Sequence, residues 1–220
     1  MTEKSVKDYQ VLGELSENTV HELQTPLASM KSKLEILLNS PLSEDQLQIL
    51  SSMLDELYRL SSLNKSLVLL ARLDHFNKTE SPVIDFSEMV KDRLRSFEEL
   101  FEVGEIILTK KIQQDICLHF NEDHAKLVIE NLLSNALKHN VSAGFVDVEL
   151  DSCGFTVTNS GPAPGFPAEE LFQRFRRGSS SAHSLGIGLS LVKKIVEVYG
   201  HQIAYTYEGE KHQIHLKFKF

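Results

Sequence analysis

A histidine with a carboxylate beside it and a hydroxyl one helical turn away lies in the stretch Val20–Leu27. A neutral His21 ring has a nucleophilic nitrogen near pH 7, and Glu22 beside it could accept a displaced proton. Thr25, four residues after His21, falls one turn along the same helix face. Pro26 removes a helical N–H and is expected to kink the helix just beyond the histidine. These residues predict a reactive site displayed on a helix surface.

A second candidate site is a polar stripe on a predicted helix that passes through Glu130–His139. Asn131, Asn135 and Lys138 share one face by their spacing of four and three residues. Amide oxygens can complete the oxygen shell of Mg²⁺, and a lysine one turn on can neutralise a phosphate. The alternative is a solvated face with incidental asparagines, although asparagine is a poor helix former. The stripe therefore indicates a metal–phosphate site.

A Gly-Ile-Gly sequence opens a further predicted helix, Gly188–Tyr199. Glycines allow the backbone to approach phosphates closely, and a helix N-terminus offers free N–H groups and positive potential. This segment also predicts contact with phosphate.

Two long amphipathic helices are expected to carry the histidine. The first runs from about Ser5 to Asn39, and Ser43 and Gln46 form a capping box that opens the second. Because a two-helix hairpin cannot enclose a core alone, we expect it to dimerise into a four-helix bundle. The apolar residues that predict these helix faces are Val20, Leu23, Leu27, Met30, Leu34 and Leu37, then Leu47, Leu50, Leu54, Leu57, Leu60, Leu63, Leu67 and Leu70.

The rest of the chain alternates strand and helix patterns, which predicts a two-layer α/β sandwich. The fold class is therefore α+β: a helical hairpin at 1–75, a polar linker at 76–82 and an α/β domain at 83–220. We expect Ser87 to cap a helix ending near Val103 and Asn121 to cap the asparagine helix. Expected strands cover Val83–Phe86, Ile106–Lys110, Ile116–Phe120, Gly144–Leu150, Gly154–Thr158, Ile203–Tyr207 and Ile214–Phe218.

Composition excludes several other classes of protein. The net charge of −8 argues against a nucleic-acid surface. Cys117 and Cys153 have no metal-binding spacing and are expected to be reduced and buried, and His212 and His215 should point to opposite faces of a strand. We find no membrane segment in the sequence, so we expect a cytoplasmic protein or the cytoplasmic portion of an inner-membrane receptor.

Five motifs in order resemble those of sensor histidine kinases. His21-Glu22-Leu23-Gln24-Thr25-Pro26-Leu27 is similar to the phosphoacceptor box, and the Glu130–His139 helix resembles the asparagine box of the ATP-binding domain. The other three matches are the first glycine box at 159–163, the phenylalanine box at 172–178 and the second glycine box at 186–189.

The resemblance implies an ATP-dependent protein histidine kinase with ATP and Mg²⁺ at its catalytic site. His21 would be the phosphoacceptor, Glu22 the general base, and Thr25 would position water for dephosphorylating an aspartate on a response-regulator receiver domain. Arg177 would reach the γ-phosphate. Mg²⁺ would be held by Asn135 and Asn131, and the residues binding the nucleotide would be Asn131, Asn135, Lys138, His139, Asn159, Gly161, Ala163, Arg176, Gly186, Gly188 and Leu189.

Two residues depart from the family pattern. Asn159 stands where the family has an aspartate that accepts a hydrogen bond from adenine, and Ala163 replaces a glycine. We expect adenine specificity with weakened affinity for ATP. A degenerate, non-catalytic signalling dimer and an ATPase of the wider family without phosphohistidine are the two alternatives.

Overall fold

The computed structural model describes residues 25–73, 76, 81–173 and 186–219. The chain divides into two compact units, Met1–His75 and Phe76–Phe220. His21, Glu22, Arg176 and Arg177 lie outside the described residues.

The first unit contains two helices joined by a short loop. Helix α1 is described over 25–38, and helix α2 spans Glu44–Leu73. The predicted capping box is confirmed, since the Ser43 N–H donates to Gln46 Oε1 at 2.9 Å and the Gln46 N–H donates to Ser43 Oγ at 3.3 Å. These two bonds satisfy N–H groups that a helix start leaves without partners.

The leucines of α2 form two populations. Leu50 and Leu54 are buried with Leu34 of α1 in one cluster, against which Leu42 packs. Leu60 and Leu67, seven residues apart on another side of the helix, remain 50% and 42% exposed. The hairpin therefore covers one side of α2 and leaves apolar surface on another. None of the described helices combines the length and the apolar character that a membrane span requires.

The second unit is an α/β structure in the predicted order. Its helices are α3 (Phe86–Val103), α4 (Glu122–Lys138) and α5 (Gly188–Val198), with a short 3-10 turn at Ala168–Glu170. Its strands are β1 (Val83–Asp85), β2 (Ile107–Ile112), β3 (Cys117–His119), β4 (Phe145–Leu150), β5 (Gly154–Ser160), β6 (Gln202–Glu208) and β7 (Lys211–Lys217).

Five strands form the main sheet in the order β2-β4-β5-β7-β6. β2 runs parallel to β4, whereas the remaining neighbours are antiparallel. Buried and accessible residues alternate along β4 and β5, as expected of a sheet covered on one face. The helices α3, α4 and α5 contact this sheet and give the predicted two-layer sandwich.

An aromatic cluster fills the core beneath α3. The Phe86 ring is fully buried and meets Phe155 and Phe218 edge to face, with ring centroids 5.8 and 5.7 Å apart. This geometry places the positive ring edge against a negative ring face. The start of α3 is thereby fixed on the sheet.

The prediction that Ser87 caps α3 is wrong. The N-cap is Asp85, whose carboxylate accepts from the Glu88 N–H at 3.0 Å. Ser87 is fully buried; its hydroxyl donates to the Gln113 carbonyl at 2.8 Å and accepts from the Ile116 N–H at 2.9 Å. These long-range bonds tie α3 to the β2–β3 connection, where an unpaired N–H would cost about 1–3 kcal/mol.

The cysteines are also corrected. Cys117 and Cys153 are free, as expected, but both are exposed rather than buried. Each lies at the edge of its structural element, Cys117 at the outward-facing start of β3 and Cys153 in the turn before β5.

Phe76 and the α4 N-terminus form a second aromatic group within this unit. Asn121 caps α4, as predicted, by accepting from the N–H groups of Asp123 and His124. The His124 ring lies against Phe76 with centroids 5.0 Å apart and forms a 2.9 Å hydrogen bond with the Tyr199 hydroxyl. Burial lowers the pKa of His124, so this ring is neutral at pH 7.

Candidate functional site

The polar stripe of α4 is present as predicted. Leu132, Leu133 and Ala136 are buried against the sheet, which leaves the opposite side of the helix accessible. The half-buried or exposed side chains on that side are those of Asn131, Asn135, Lys138 and, at the C-cap, His139.

Asn131 faces the start of α5. Its amide Nδ2 donates to the Leu127 carbonyl at 2.8 Å, which leaves Oδ1 directed away from its own helix. A Cβ placed on Gly188 would lie only 2.4 Å from that Oδ1. The two predicted motifs therefore meet, and the close approach depends on the absence of a side chain at Gly188.

The N-terminus of α5 opens toward the same stripe. Its cap position is held by Ile187, a residue whose side chain has no hydrogen-bond acceptor. Gly186 before it has a φ of 65°, a left-handed conformation that favours glycine. The first-turn N–H groups of an α-helix attract anions, so this end of α5 is suited to bind a phosphate.

Strand β5 ends in the first glycine loop (Gly161–Ala163), which packs against the other end of α4. A Cβ on Gly161 would lie 2.5 Å from the His139 carbonyl oxygen and 2.7 Å from the His212 ring. The Gly161 N–H donates to the Glu210 carbonyl at 3.0 Å. Only glycine fits in this position, while Ala163 two residues later is exposed.

Asn159 is the last buried residue of β5 and is 7% exposed. Its Nδ2 donates to the Ser160 carbonyl at 2.8 Å, which leaves its Oδ1 as the acceptor directed away from that bond. In the sheet it pairs with Val146 on one side and with His212 on the other.

A set of hydrogen bonds around Asn140, which the sequence does not predict, links α4 to the sheet. Asn140, next to His139, donates from Nδ2 to the carbonyls of Ala136 and Phe145 at 3.1 and 3.0 Å. Its Oδ1 accepts from Ser160 Oγ at 2.6 Å. Asn140 therefore sets the distance between the helix stripe and the end of β5.

Two histidines flank the first glycine loop. Burial lowers the pKa of His139, and the nearby His212 and Lys138 lower it further. Burial likewise lowers the pKa of His212, and it raises the pKa of Tyr205 to about 12. At pH 7 both histidines are neutral and Tyr205 keeps its proton.

The predicted phenylalanine box is described only at its start. Phe172 is half-buried, and Lys193 Nζ of α5 lies 5.8 Å from its ring centroid, a cation–π contact.

Taken together, these contacts bring the asparagine stripe, both glycine segments and Asn159 into one site. Leu189 lies half-buried in the first turn of α5. Thr25 is in α1 of the other unit.

Comparisons with known proteins agree with this site. Residues 11–76 match the family model "His Kinase A (phospho-acceptor) domain". Residues 120–220 match "Histidine kinase-, DNA gyrase B-, and HSP90-like ATPase". The fold and site thus define an ATPase module of the histidine-kinase and gyrase type, preceded by a phosphoacceptor domain.

Curated relatives point to the same class. The sensor histidine kinase HprS of Escherichia coli is 29% identical over 223 residues, which covers 95% of this chain and 47% of HprS. The heme sensor protein HssS of Staphylococcus haemolyticus is 30% identical, with 86% of this chain and 43% of HssS covered. The chain spans about half the length of these relatives.

A solved structure with the same fold is that of full-length ShkA in complex with AMPPNP. It superposes with a TM-score of 0.70 at 18% identity and covers 93% of this chain and 45% of ShkA. Together with the two family models, these comparisons confirm the predicted resemblance. The chain belongs to the sensor histidine kinases of two-component systems.

Proposed function

We propose that this chain is the kinase core of a two-component sensor, which binds Mg-ATP at α4 and α5 and phosphorylates His21. The proposal rests on the close approach of both glycine segments to the asparagine stripe: Gly188 lies against the Asn131 side chain, and Gly161 lies against the His139 carbonyl oxygen. The phosphoacceptor domain in the same chain supplies the acceptor.

The nucleotide fits this site from base to phosphates. Asn159 Oδ1, at the buried end of β5, would accept from the adenine amino group. The N–H groups at the start of α5 and the Lys138 ammonium would bind the phosphates. His139 and Leu189 would contact the nucleotide between these ends, beside Gly161, Ala163 and Gly186.

The residues at the asparagine stripe also fit Mg²⁺. Asn131 Oδ1 points toward the space that the absence of a side chain at Gly188 leaves open. Asn135 lies one turn further along the same face. Neutral amide oxygens suit a hard cation whose remaining ligands are phosphates and water. Bound Mg²⁺ would neutralise charge on the transferred phosphoryl group.

The proposed reaction is an in-line phosphoryl transfer. A neutral His21 nitrogen attacks the γ-phosphorus, the new P–N bond forms, and the bond to the ADP oxygen breaks. Glu22 takes up the ring proton, Lys138 and Arg177 balance the charge on the phosphate oxygens, and Arg176 contributes to ATP binding. The phosphoryl group then passes to an aspartate of a response-regulator receiver domain, and Thr25 would orient water for the reverse dephosphorylation.

The described part of the helical unit supports a homodimer. Leu60 and Leu67, seven residues apart on one face of α2, are 50% and 42% exposed, and a second copy of the hairpin would cover this apolar face in a four-helix bundle. We place this core in the cytoplasm, with residues 76–82 as the linker between domains 1–75 and 83–220.

Incubation with γ-labelled ATP and Mg²⁺ tests the proposal. The chain should acquire label that is lost in acid and retained in base, and the label should disappear in His21→Ala. His119→Ala, at an exposed histidine of β3, is the matched control and should label normally. Nucleotide binding without label would indicate a non-catalytic dimer, and phosphate release without labelled protein would indicate an ATPase. Either outcome contradicts the proposal.

A separate prediction concerns Asn159→Asp. A carboxylate would accept the adenine amino group through a charge-assisted bond, stronger by about 1 kcal/mol, so ATP affinity should rise roughly fivefold. The same change removes the bond to the Ser160 carbonyl and buries a charge, so the nucleotide-free protein should lose about 1–2 kcal/mol of stability. Calorimetric titration and chemical unfolding measure the two effects. Equal or weaker ATP binding by the aspartate variant would refute the prediction.

A further inference from the structure

The β6–β7 hairpin contacts the first glycine loop through one side chain, His212. In the sheet, His212 stands opposite Asn159 on β5 and opposite Tyr207 on β6. Directly paired residues project to the same face, so His212 shares a face with Asn159. This is the face that α4 covers: Phe155 and Val157, at alternate positions of β5 before Asn159, are buried, and a Cβ on Gly161 would lie within 2.7 Å of both the His139 carbonyl oxygen at the end of α4 and the His212 ring.

The His212 ring is held between two partners. Its Nε2 lies 2.9 Å from the Pro162 carbonyl oxygen, and its Nδ1 lies 2.8 Å from the Tyr205 hydroxyl. Because a carbonyl oxygen only accepts, Nε2 carries the proton and donates to Pro162. Nδ1 then accepts from the hydroxyl of Tyr205. A neutral imidazole provides this donor and acceptor, in agreement with its lowered pKa.

The same ring also packs against the loop. It lies 4.9 Å from the Tyr207 ring, centroid to centroid, and the site of a missing Cβ on Gly161 is 2.7 Å from its Cδ2 and Nε2. The Tyr207 hydroxyl donates to the Gly161 carbonyl at 3.4 Å, and the Gly161 N–H donates to Glu210. The loop is therefore fixed on the hairpin by side-chain contacts as well as by the ladder.

We propose that His212 is a positioning residue for the adenine-binding end of the nucleotide site, with Tyr205 holding its ring in the orientation that fixes the Pro162 carbonyl. This inference rests on the proposed ATP site. The β6–β7 hairpin would then control the position of the loop after Asn159, although the residues of this hairpin are not expected to touch the phosphates. Base recognition should depend on it, whereas phosphate binding at α5 should not.

The consequence is a selective loss of adenine recognition. His212→Ala in the full chain should weaken ATP binding about tenfold and leave the weak binding of GTP, measured by competition, within twofold. His212→Gln, which can still donate to Pro162, should stay within threefold of the native affinity for ATP. Tyr205→Phe, which keeps the ring but loses the hydroxyl, should weaken ATP binding about threefold.

His215→Ala is the matched control. His215 lies on the same strand, on the opposite face, and forms a comparable 2.8 Å bond to Thr156 Oγ1, yet its loss should leave the ATP-to-GTP ratio unchanged. Unchanged ATP affinity in His212→Ala, or equal weakening of ATP and GTP, would overturn the inference. If the native chain binds no ATP, the proposed function fails and this inference fails with it. If the native chain binds ATP and His212→Ala has no selective effect, only this inference fails.

Discussion

Gly188→Ala is expected to lower the affinity for Mg-ATP at least tenfold while leaving thermal stability almost unchanged. The added methyl would lie 2.4 Å from Asn131 Oδ1, so the amide must turn away. A side-chain amide can rotate, at the cost of its bond to the Leu127 carbonyl, and replacing glycine by alanine stabilises the folded protein by about 0.4–1 kcal/mol because it restricts the unfolded chain. These two effects offset each other in the folded protein, but the proposed Mg²⁺ ligand leaves its position. Calorimetric titration with Mg-ATP and a thermal melt measure the two quantities.

A double-mutant cycle separates this cause from a general disturbance of α5. In an Asn131→Ala background, Gly188→Ala should have little further effect on affinity, because the group it displaces is already gone. Gly104→Ala, at a remote glycine where the nearest atom to a new Cβ is a flexible Ile106 side-chain carbon at 3.2 Å, is the matched control for affinity. Additive losses from Gly188 and Asn131 would show that the contact is not responsible.

Gly161→Ala is expected to act on stability instead. Here the nearest atom to the new Cβ is the His139 carbonyl oxygen at 2.5 Å, which belongs to the backbone at the end of α4. Backbone cannot turn aside as an amide does, so overpacking should cost about 2–3 kcal/mol. This cost corresponds to a melting temperature roughly 5–10 °C lower for a unit of this size. Circular dichroism melts of the full chain would record it, and ATP binding should fall with it.

Gly209→Ala is the control for this second change. Gly209 has a φ of 56° and no heavy atom within 4 Å of a new Cβ, so only the cost of a left-handed backbone applies, about 1 kcal/mol. If Gly161→Ala were no more damaging than Gly209→Ala, the close packing of the loop on α4 would not be a source of stability.

Local signals predicted much of this fold from the sequence. The capping box at Ser43 and Gln46, the Asn121 cap and the buried side of α4 each depend on residues within one or two turns, and the structure confirms them. The Gly-Ile-Gly helix start was predicted for the same reason. Such features are encoded by short spacing and helix periodicity.

Features set by distant residues were not predicted. Ser87 has the chemistry of an N-cap, but bonds to Gln113 and Ile116 place it in the core, and Asp85 takes the cap. The sequence predicts the strand face of His212 but not its neighbours, because Asn159 and Pro162 are about 50 residues away in sequence. Only strand register brings them together. The bonds of Asn140 to Ala136 and Phe145 are local, but its link to β5 through Ser160 is not predicted, because Ser160 lies 20 residues away.

The divided leucine surface of α2 has a thermodynamic consequence. Within the described hairpin, one small cluster around Leu50 and Leu54 is covered, while Leu60 and Leu67 stay in contact with solvent. In the proposed dimer, burial of those outer leucines supplies free energy only when two chains meet. Mass action then makes the stability of the helical unit rise with protein concentration, whereas the α/β unit, with its own core, melts at a temperature independent of dilution.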